Sequence, residues 1–381
     1  MNYLKYVLLI IVAVIVPVAT YAESTEYFSH AKVVQVISQE QEQIPSTDAV
    51  FTTQAIKVRF SGDYMNGEEV EMKNDLVPMK VGDTFIARIV VDNEENTKEF
   101  VVSDFERRPT LAVLAALFLI AVVVFGRMQG VRSLVSLGVS GLVIFFVLIP
   151  LLLKGYHPVL VSTITAAAVL FFAIFFTHGF NRKSLIAFSG TFLAVLITSV
   201  LAQIAVTTAH ITGFATHESV YLNFNTGGTL DFVGLFLAGI MIGMLGVLDD
   251  ISITQVAVVR ELYGVAPHLT KKELFASAIR VGKEHVGALV NTLVLAYVGV
   301  ALPSILYFAT SYTPIGQMVN MEIFAAEIIR TIIGSIGLIL TVPITTMLAV
   351  YFLKDYKGKK MTLDELEHGH SHAHGGHGHS H

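Results

Sequence analysis

The sequence predicts a mainly α-helical integral membrane protein that carries a small exported β domain. The chain has 381 residues, of which 54% are hydrophobic and only 14% are charged, and this balance is typical of membrane proteins. Several apolar stretches are long enough to cross a bilayer. They follow a polar region in which apolar and polar residues alternate with the two-residue period of β-strands.

Residues 1–22 have the pattern of an export signal. Lys5 precedes an apolar run, and Thr20 and Ala22 are spaced like a cleavage site. A cleaved signal peptide and a retained N-terminal anchor both fit this pattern. In either case the segment that follows is expected to be exported.

Residues 23–108 are expected to form a small β-barrel of the oligonucleotide-binding-fold or SH3-like kind. Alternating stretches such as AIKVRF and TFIARIVV are separated by turn signals at Gly62, Asn66-Gly67 and Gly82-Asp83. About five short strands are enough for such a barrel. Nucleic-acid binding is not expected, because the region is acidic on balance and that function needs a basic groove. The expected partner of the protein is the lipid bilayer. Through this domain, a second copy of the chain or an envelope protein is a further possible partner.

Residues 109–354 are predicted to form a domain of about seven transmembrane helices. An amphipathic helix at about 270–284, introduced by a capping box of Thr270 and Glu273, is expected to lie along the inner membrane surface. The predicted spans are about 111–126, 134–153, 158–177, 185–209, a central one from 232, 286–309 and 328–353.

The distribution of lysine and arginine predicts the orientation of these spans. Basic residues concentrate in alternate connections, whereas Lys154 alone lies in the others. By the positive-inside rule, the β domain is outside and the C-terminus is cytoplasmic. An odd number of spans agrees with this arrangement, and the expected location is the cell membrane.

Two adjacent carboxylates, Asp249 and Asp250, interrupt the central apolar stretch. An ionised carboxylate in hydrocarbon costs several kcal/mol, so it is expected to be paired, protonated, hydrated or functional. If the helix continues to Arg260, Asp250 lies about 15 Å inside that anchor at about 1.5 Å per residue. If the helix ends at the pair, both carboxylates lie at the membrane interface.

One face of this predicted helix combines small residues with a carboxylate. Small residues allow a neighbouring helix to approach closely, so Asp250 is expected in a helix–helix seam with Asp249 to its side. At about 100° per residue, the aligned positions are Gly239, Gly243, Gly246, Asp250 and Thr254.

Other polar residues of the predicted spans complete the candidate coupling site. Asn291 is expected to face the carboxylate pair from the sixth span. Arg330 follows Glu327 by three residues, so a salt bridge between them is the simpler interpretation. The candidates added to the carboxylate pair are Thr254, Gln255, Asn291 and Arg330.

Three segments carry a resemblance to a known family: GRMQGVRSLVSL, GMLGVLDDISITQVAVVREL and VGKEHVGALVNTLVLAYVGVALPSILYF. Together they resemble the YibE/F family of bacterial multi-spanning membrane proteins. The resemblance covers most of the chain from about Gly62 onward. It implies an integral protein of the bacterial plasma membrane with an exported β domain, and it implies no activity, substrate or site residue.

Residues 355–381 are expected to form a disordered cytoplasmic tail rich in histidine. Neutral imidazole is a common ligand of zinc and nickel, and the intervening glycines and serines leave the chain free to wrap an ion. Zinc or nickel binding is therefore expected, although an incidental or cloning-derived tail also fits; no other cofactor is expected. The candidate ligands are His368, His370, His372, His374, His377, His379 and His381.

The leading functional expectation is a secondary transporter or permease in which Asp249 and Asp250 couple to protons or cations. A nucleotide-binding loop is absent from the sequence, which excludes ATP drive within this chain. The alternatives are a non-catalytic assembly or accessory protein of the membrane, and a transition-metal transporter fed by the histidine-rich tail. An enzyme is not expected, because an intramembrane aspartyl protease needs aspartates that converge from different helices. The absence of cysteine excludes thiolate metal sites and cysteine nucleophiles.

Overall fold

The structure is a computed structural model that describes residues 25–43, 50–62, 64–92 and 97–354. The predicted signal or anchor at 1–22 and the histidine-rich tail at 355–381 lie outside the described residues. The described residues are mainly helical, and the chain divides into two compact units, Met1–Phe125 and Gly126–His381.

The first unit contains a sheet of five antiparallel strands. Positive φ angles at Gly67 (86°) and Gly82 (100°) form the turns that precede the third and fourth strands, where glycine is the least strained residue. The strand order is β3-β2-β1-β4-β5. The strands are β1 Thr25–Gln43, β2 Val50–Phe60, β3 Glu69–Asn74, β4 Thr84–Asp92 and β5 Thr97–Phe105.

The sheet is not a closed barrel. Within the described ranges no backbone ladder joins its edge strands β3 and β5, so the oligonucleotide-binding or SH3-like barrel is not confirmed. Buried side chains from both halves of the sheet nevertheless form one hydrophobic core, which includes Val58, Ile89 and Val102. Phe60 and Phe100 bring β2 and β5 together in that core, with ring centroids 5.9 Å apart.

Nine α-helices follow in the part of the chain that the structure describes, with π-helical turns at Ile144–Leu148 and Phe172–Phe176. Six helical segments are long and apolar enough to cross a membrane. The protein is therefore a multi-pass membrane protein. The helices are α1 Arg108–Val143, α2 Ile149–Leu153, α3 Pro158–Phe171, α4 Arg182–Thr208, α5 His217–Asn225, α6 Phe232–Val265, α7 Lys271–Ala309, α8 Ile315–Asn320 and α9 Glu322–Lys354.

Seven membrane-spanning helices are not confirmed, because the first two predicted spans lie in one helical segment. Residues 111–126 and 134–153 both belong to Arg108–Leu153, which has 46 residues. Within it, Arg127 alone has a non-helical backbone, with φ 48° and ψ −136°. Its 46 residues are about twice the ~20 that one crossing of a ~30 Å hydrocarbon core requires.

The second unit is organised around α4, α6 and α9, which are joined by buried hydroxyl groups. Thr191 Oγ1 of α4 lies 2.6 Å from Ser252 Oγ of α6, which lies 3.2 Å from Thr345 Oγ1 of α9. All three side chains are fully buried. Such interhelical hydrogen bonds contribute about 0.6 kcal/mol each in membranes and fix the register of the three helices.

Glycines at three helix crossings allow this close packing. A Cβ at Gly190 would lie 2.5 Å from Thr345 Oγ1 and 3.1 Å from its Cα. A Cβ at Gly337 would meet Thr198, and one at Gly282 would lie within 3.0 Å of Gln255. Side chains are therefore excluded at these points, which the sequence did not single out.

The stretch predicted as an amphipathic helix at about 270–284 is the first part of α7. The capping box is confirmed, since Thr270 and Glu273 exchange the expected hydrogen bonds. Leu274, Ala278 and Gly282 are buried, and the helix continues through His285 without a break. This stretch therefore packs into the bundle as part of one 39-residue helix.

The connection between β5 and α1 is fixed by Glu106. Arg108 Nε donates to Glu106 Oε1 at 2.7 Å, and His30 Nδ1 of β1 lies 2.9 Å from Glu106 Oε2. The Arg108 guanidinium lowers the pKa of Glu106 from 4.5 to about 2. The ionised carboxylate thus links the central strand to the start of the first helix.

The first prediction concerns the tight glycine contacts. Gly190→Ala should destabilise the protein by about 1–3 kcal/mol, because its Cβ would overlap Thr345. Gly246→Ala is the matched control: a Cβ there has no neighbour from another element within 4 Å among the described residues, so helix propensity should keep or slightly raise stability. Apparent melting temperatures of the two purified variants in one detergent compare them. Equal melting temperatures would contradict the packing role of Gly190.

The second prediction concerns Glu106. Its folded-state pKa is depressed, so its stabilising contribution is present above about pH 4.5 and is lost as pH falls toward about 2. Hydrogen-exchange protection of residues 29–31, corrected for intrinsic rates, should therefore fall between about pH 6 and about pH 3. Glu106→Gln should lower that protection already at the higher pH.

The control for Glu106 is Glu69→Gln. Glu69 lies on the exposed surface of β3 and pairs with Lys57 at 3.0 Å. Its loss should leave the protection of residues 29–31 unchanged. Wild-type protection in Glu106→Gln at the higher pH would show that this carboxylate does not hold the connection.

Candidate functional site

Asp249 and Asp250 lie in the interior of α6. Asp231 caps this helix, with Oδ1 accepting the Gly234 N–H at 2.9 Å, and the helix continues to Val265. Of the two arrangements that the sequence left open, the structure shows the one in which the helix passes the carboxylate pair and reaches Arg260. Asp250 therefore precedes Arg260 by about 15 Å along the helix.

The two carboxylates differ in exposure, and in the opposite sense to the one expected. Asp250 is exposed, whereas Asp249 is half-buried. Asp249 Oδ1 accepts the backbone N–H of Asp250 at 2.9 Å. The Asp250 carboxylate has no hydrogen bond within residues 97–354, so of the two it is the one free to bind a proton or a ligand.

The helix–helix seam expected along the glycine face is not formed within the described chain. Gly239, Gly243 and Gly246 are exposed. A Cβ at Gly239 or Gly246 would have no neighbour from another element within 4 Å, and one at Gly243 would meet only Tyr297 Oη at 3.2 Å. The face that carries Asp250 is therefore open along most of its length.

The contacts between α6 and α7 show which residues lie level with the carboxylate pair. Gln255 Nε2 donates to Ala278 O at 2.9 Å, and Tyr297 approaches Gly243, so the helices run antiparallel. Counting from these contacts places Asp250 level with about His285.

The composition of α7 changes at that level. Arg280, Lys283 and Glu284 precede His285 on exposed positions, and the apolar run begins at Val286. The exposed Arg280, Lys283, Glu284 and His285 form a polar flank of α7 at the level of Thr254 and Asp250. The carboxylate pair thus lies at the level where the surface of α7 changes from polar to apolar.

His178 is an ionisable neighbour of Asp250. It follows the π-helical turn Phe172–Phe176 and is exposed. Partial burial of the imidazole lowers the pKa of His178, while the charge of Asp250 acts in the opposite direction. The two side chains therefore interact electrostatically.

The remaining candidates do not gather around the carboxylates. Thr254 Oγ1 donates to the backbone oxygen of Asp250 at 2.9 Å, a local bond common for hydroxyls in helices. Gln255 is buried and joins α6 to α7. Asn291 is exposed on α7.

Arg330 lies at a separate polar position in α9. Its Nη1 is 2.5 Å from Glu327 Oε1, which is the predicted salt bridge. Its guanidinium lies over the ring of Phe236 at 5.1 Å. Phe236 precedes Asp250 by fourteen residues of α6, or about 21 Å, so Arg330 is not part of the carboxylate site.

Two cavities of the helical unit lie away from the carboxylate pair. A cavity of about 410 Å³ lies at the start of α6 and is lined by Asp231, Pro158 and Leu235. A second cavity of about 330 Å³ lies between α7 and α9 and is lined by Tyr297 and Glu327. Asp249 and Asp250 line neither of them.

A metal centre is not formed by the residues that the structure describes, which contain no group of three or more histidine, aspartate or glutamate side chains placed to hold an ion. The zinc or nickel ligands predicted from His368 to His381 lie outside those residues. Metal binding by the tail therefore stays a prediction.

His178 and the packing glycines were not among the residues predicted for the site. The proximity of His178 to Asp250 depends on the packing of α3 against α6, which a local sequence pattern does not show. The packing glycines could have been found, since Gly190 and Ala194 form a small-xxx-small pair, a pattern typical of helix crossings.

Comparison with known proteins gives one match. Residues 114–355 match the family described as YibE/F-like protein, whereas the resemblance from the sequence had been placed from about Gly62. The β domain lies outside the matched range, so the family is defined by the helical unit. No curated protein and no solved structure matches the chain. Since the match covers more than half of its length, the chain belongs to the YibE/F-like family.

Proposed function

We propose that the protein is a secondary transporter of the bacterial plasma membrane in which Asp249 and Asp250 bind the coupling proton or cation. The observation that carries the proposal is the position of Asp250. It lies inside a 34-residue apolar helix and is exposed on a face lined by glycine, and its carboxylate makes no hydrogen bond to the described residues. Structural carboxylates in membrane helices are usually paired or buried in protein.

Lipid cannot cover the glycine face of α6 without an energetic cost while Asp250 is charged. A charged aspartate at the centre of a membrane helix costs about 2.5–3.5 kcal/mol on insertion scales. The cost is removed when the carboxylate meets water, a cation or a proton. The polar flank of α7 lies level with Asp250, and His178 interacts with Asp250 electrostatically. We infer that water reaches the carboxylate from the membrane surface on which these residues lie, as a coupling site that loads from that surface needs.

The open glycine face supports a conformational cycle. Loading a proton or a cation neutralises Asp250 and lowers the cost of moving it into an apolar surrounding. Because Gly239 and Gly246 meet no other element, α7 can approach this face after neutralisation without steric overlap. Alternate exposure of one site by movement of helices against each other is the usual mechanism of such transporters.

The proposed orientation places the β domain outside and the carboxylate pair on the cytoplasmic half. It requires the 46-residue segment Arg108–Leu153 to cross the membrane twice, with the reversal at Arg127. Three features support this reversal. They are the non-helical backbone of Arg127, the adjacent Arg132, and a length of about twice that of one span.

The third prediction tests coupling. Asp250→Asn preserves size and removes the proton site, so it should abolish the function that wild-type protein restores to a deletion strain, at matched amounts of inserted protein. Asp249→Asn should be milder, because an amide oxygen can still accept the Asp250 N–H. The measurement is the metabolite and metal content of the cells, compared with the deletion strain.

The matched control for coupling is Thr254→Val. Its hydroxyl bonds only to the backbone of its own helix, so its loss should leave function close to wild type. Full function in Asp250→Asn would end the coupling proposal. It would favour the alternative of an assembly or accessory protein, in which the aspartates are dispensable for activity.

The fourth prediction tests topology through the absence of native cysteine. Ser103→Cys in β5 and Ser311→Cys after α7 should both react with a membrane-impermeant maleimide from outside. Between them lie the segment Arg108–Leu153 and the spans of α3, α4, α6 and α7, so equal sidedness requires that segment to cross an even number of times.

Two internal controls complete the topology test. Gln129→Cys beside Arg127 and His268→Cys between α6 and α7 should react only after permeabilisation. Labelling of Ser103→Cys and Ser311→Cys from opposite sides would show that Arg108–Leu153 crosses once and that the proposed orientation is wrong.

A further inference from the structure

The cavity of about 410 Å³ at the start of α6 lies at one membrane surface of the helical unit. One wall is the short connection 155–157, which joins two candidate membrane spans, and the other is 229–231, which leads into a third. A Cβ at Gly234 would overlap Pro158, so the starts of α3 and α6 lie side by side. The cavity is therefore located where these spans meet the head-group layer.

The lining of this cavity is divided between apolar and polar side chains. Leucines of three helices contribute to it: Leu152 of α2, Leu222 of α5 and Leu235 of α6. The connection adds the hydroxyl of Tyr156 and the imidazole of His157, and both residues are exposed. A ligand with an apolar chain and a polar head group matches this division.

Backbone hydrogen bonds hold the wall that carries Tyr156. The Gly155 N–H donates to Leu152 O at 2.9 Å, and the Tyr156 N–H donates to Leu151 O at 3.2 Å. Gly155 has a φ of 77°, where glycine is the least strained residue. This wall is therefore in place before a ligand binds, as is usual for small-molecule sites.

Asp231 gives the cavity its charge. It is the only acidic residue in the lining, and no lysine or arginine of the described residues contributes. Its one hydrogen bond to the described residues joins Oδ1 to the Gly234 N–H at 2.9 Å, so Oδ2 is available to a ligand. The start of α6 contributes about half a positive charge. A net negative charge remains, which favours a cationic group.

The short helix α5 connects the cavity to lipid. Its Leu222 lines the cavity, whereas Tyr221 and Phe224 are 71% and 75% exposed. At about 100° per residue, Val220, Tyr221 and Phe224 lie on one side of the helix. Exposed aromatic side chains between two spans are typical of helices in the head-group layer. Membrane lipid is therefore the source of ligand next to the cavity.

We propose that this cavity binds the head group of a membrane lipid that carries a protonated amine, with Asp231 Oδ2 accepting a hydrogen bond from the ammonium. The upper part of one acyl chain lies among the leucines, and Tyr156 and His157 bond the phosphate or ester oxygens. The volume is near the lower end of the ~300–1,000 Å³ of small-molecule sites. It therefore holds a head group and part of a chain, and not a whole lipid.

This lipid site is separate from the proposed coupling site. Asp231 precedes Asp249 by eighteen residues of α6, or about 27 Å. Lipid selectivity at the cavity does not require transport, so Asp249→Asn/Asp250→Asn should leave it unchanged. Failure of the coupling proposal would not affect this site.

The experiment uses the absence of native tryptophan. Tyr156→Trp introduces one fluorescent reporter and keeps an aromatic ring with a hydrogen-bond donor. The protein is placed in phosphatidylcholine nanodiscs with a minor fraction of phosphatidylethanolamine or phosphatidylglycerol whose brominated chains quench tryptophan. The ethanolamine lipid should quench the reporter more strongly, as expected for about tenfold tighter binding through one hydrogen bond between charged groups.

Phe145→Trp is the matched control reporter. Phe145 is 68% exposed on the apolar segment Arg108–Leu153 and does not line the cavity, so the two lipids should quench this reporter equally. Asp231→Asn, combined with Tyr156→Trp, keeps a side chain that caps α6 and removes the charge. It should make the two lipids equal at the cavity as well.

Two further variants separate the cavity from the surface of the connection. Glu218→Gln removes a carboxylate of α5 that does not line the cavity, and it should preserve the selectivity for the ethanolamine lipid. Leu222→Phe narrows the cavity and leaves Asp231 in place. It should lower quenching by the ethanolamine lipid toward that by phosphatidylglycerol, and it tests the site if Asp231→Asn fails to fold.

Equal quenching of the Tyr156→Trp reporter by the two lipids would overturn the proposal, as would selectivity that persists in Asp231→Asn. Dodecylammonium distinguishes the two sources of an amine, because it carries the amine on a single free chain. If it leaves quenching by the ethanolamine lipid unchanged at equal mole fraction, the lipid is the ligand. If it relieves most of the quenching, the site takes free alkylamines and the assignment to a lipid is wrong.

Discussion

The cost of leaving a polar group unsatisfied in hydrocarbon is the constraint on which this structure depends. Most hydroxyls of the bundle donate a hydrogen bond within their own helix, as Thr198 does to Ala194 O at 2.7 Å. Others satisfy it between helices, and the contacts of Thr191 and Thr345 with Ser252 determine how α4, α6 and α9 meet. Glycine at these crossings allows the helix backbones to come close enough for the hydroxyl contacts.

The same constraint separates structural polar groups from functional ones. Gln255 has a donor–acceptor contact and is buried, so its role is to join α6 and α7. The Asp250 carboxylate has no such contact within the described residues, and it lies on an exposed face. This combination is why the proposed coupling site is placed at Asp250.

Much of this architecture could be predicted from the sequence. Hydropathy identified the spans, and the capping box at Thr270 located the start of α7 because both of its hydrogen bonds are local. Strand alternation and turn glycines such as Gly67 identified five strands, but barrel closure depends on how β3 and β5 meet, which no local pattern encodes. The number of spans is not confirmed at Arg127, where the backbone leaves the helical conformation, since hydropathy records a polar interruption and not whether the chain reverses there.

The candidate site was less predictable, because side-chain exposure depends on which helix covers which face. A stripe of glycine on α6 predicted close packing, yet the tight contacts are at Gly190, Gly282 and Gly337. Periodicity placed Asp250 and Asp249 on adjacent faces correctly. It could not show that the face of Asp250 is the uncovered one, because that depends on the path of α7, whose apolar half is largely exposed.

The two kinds of glycine divide the helical unit by mechanical stiffness. At Gly190 and Gly337 the α4 and α9 backbones are in close contact, and Thr191 and Thr345 join both helices to Ser252 of α6, so this pair resists sliding. Along Gly239 and Gly246 the surface of α6 is smooth and makes no comparable bond, so displacement of a neighbour there has little energetic cost. A rigid frame of α4, α6 and α9 beside a compliant α7 would confine any large motion to one side of the carboxylates.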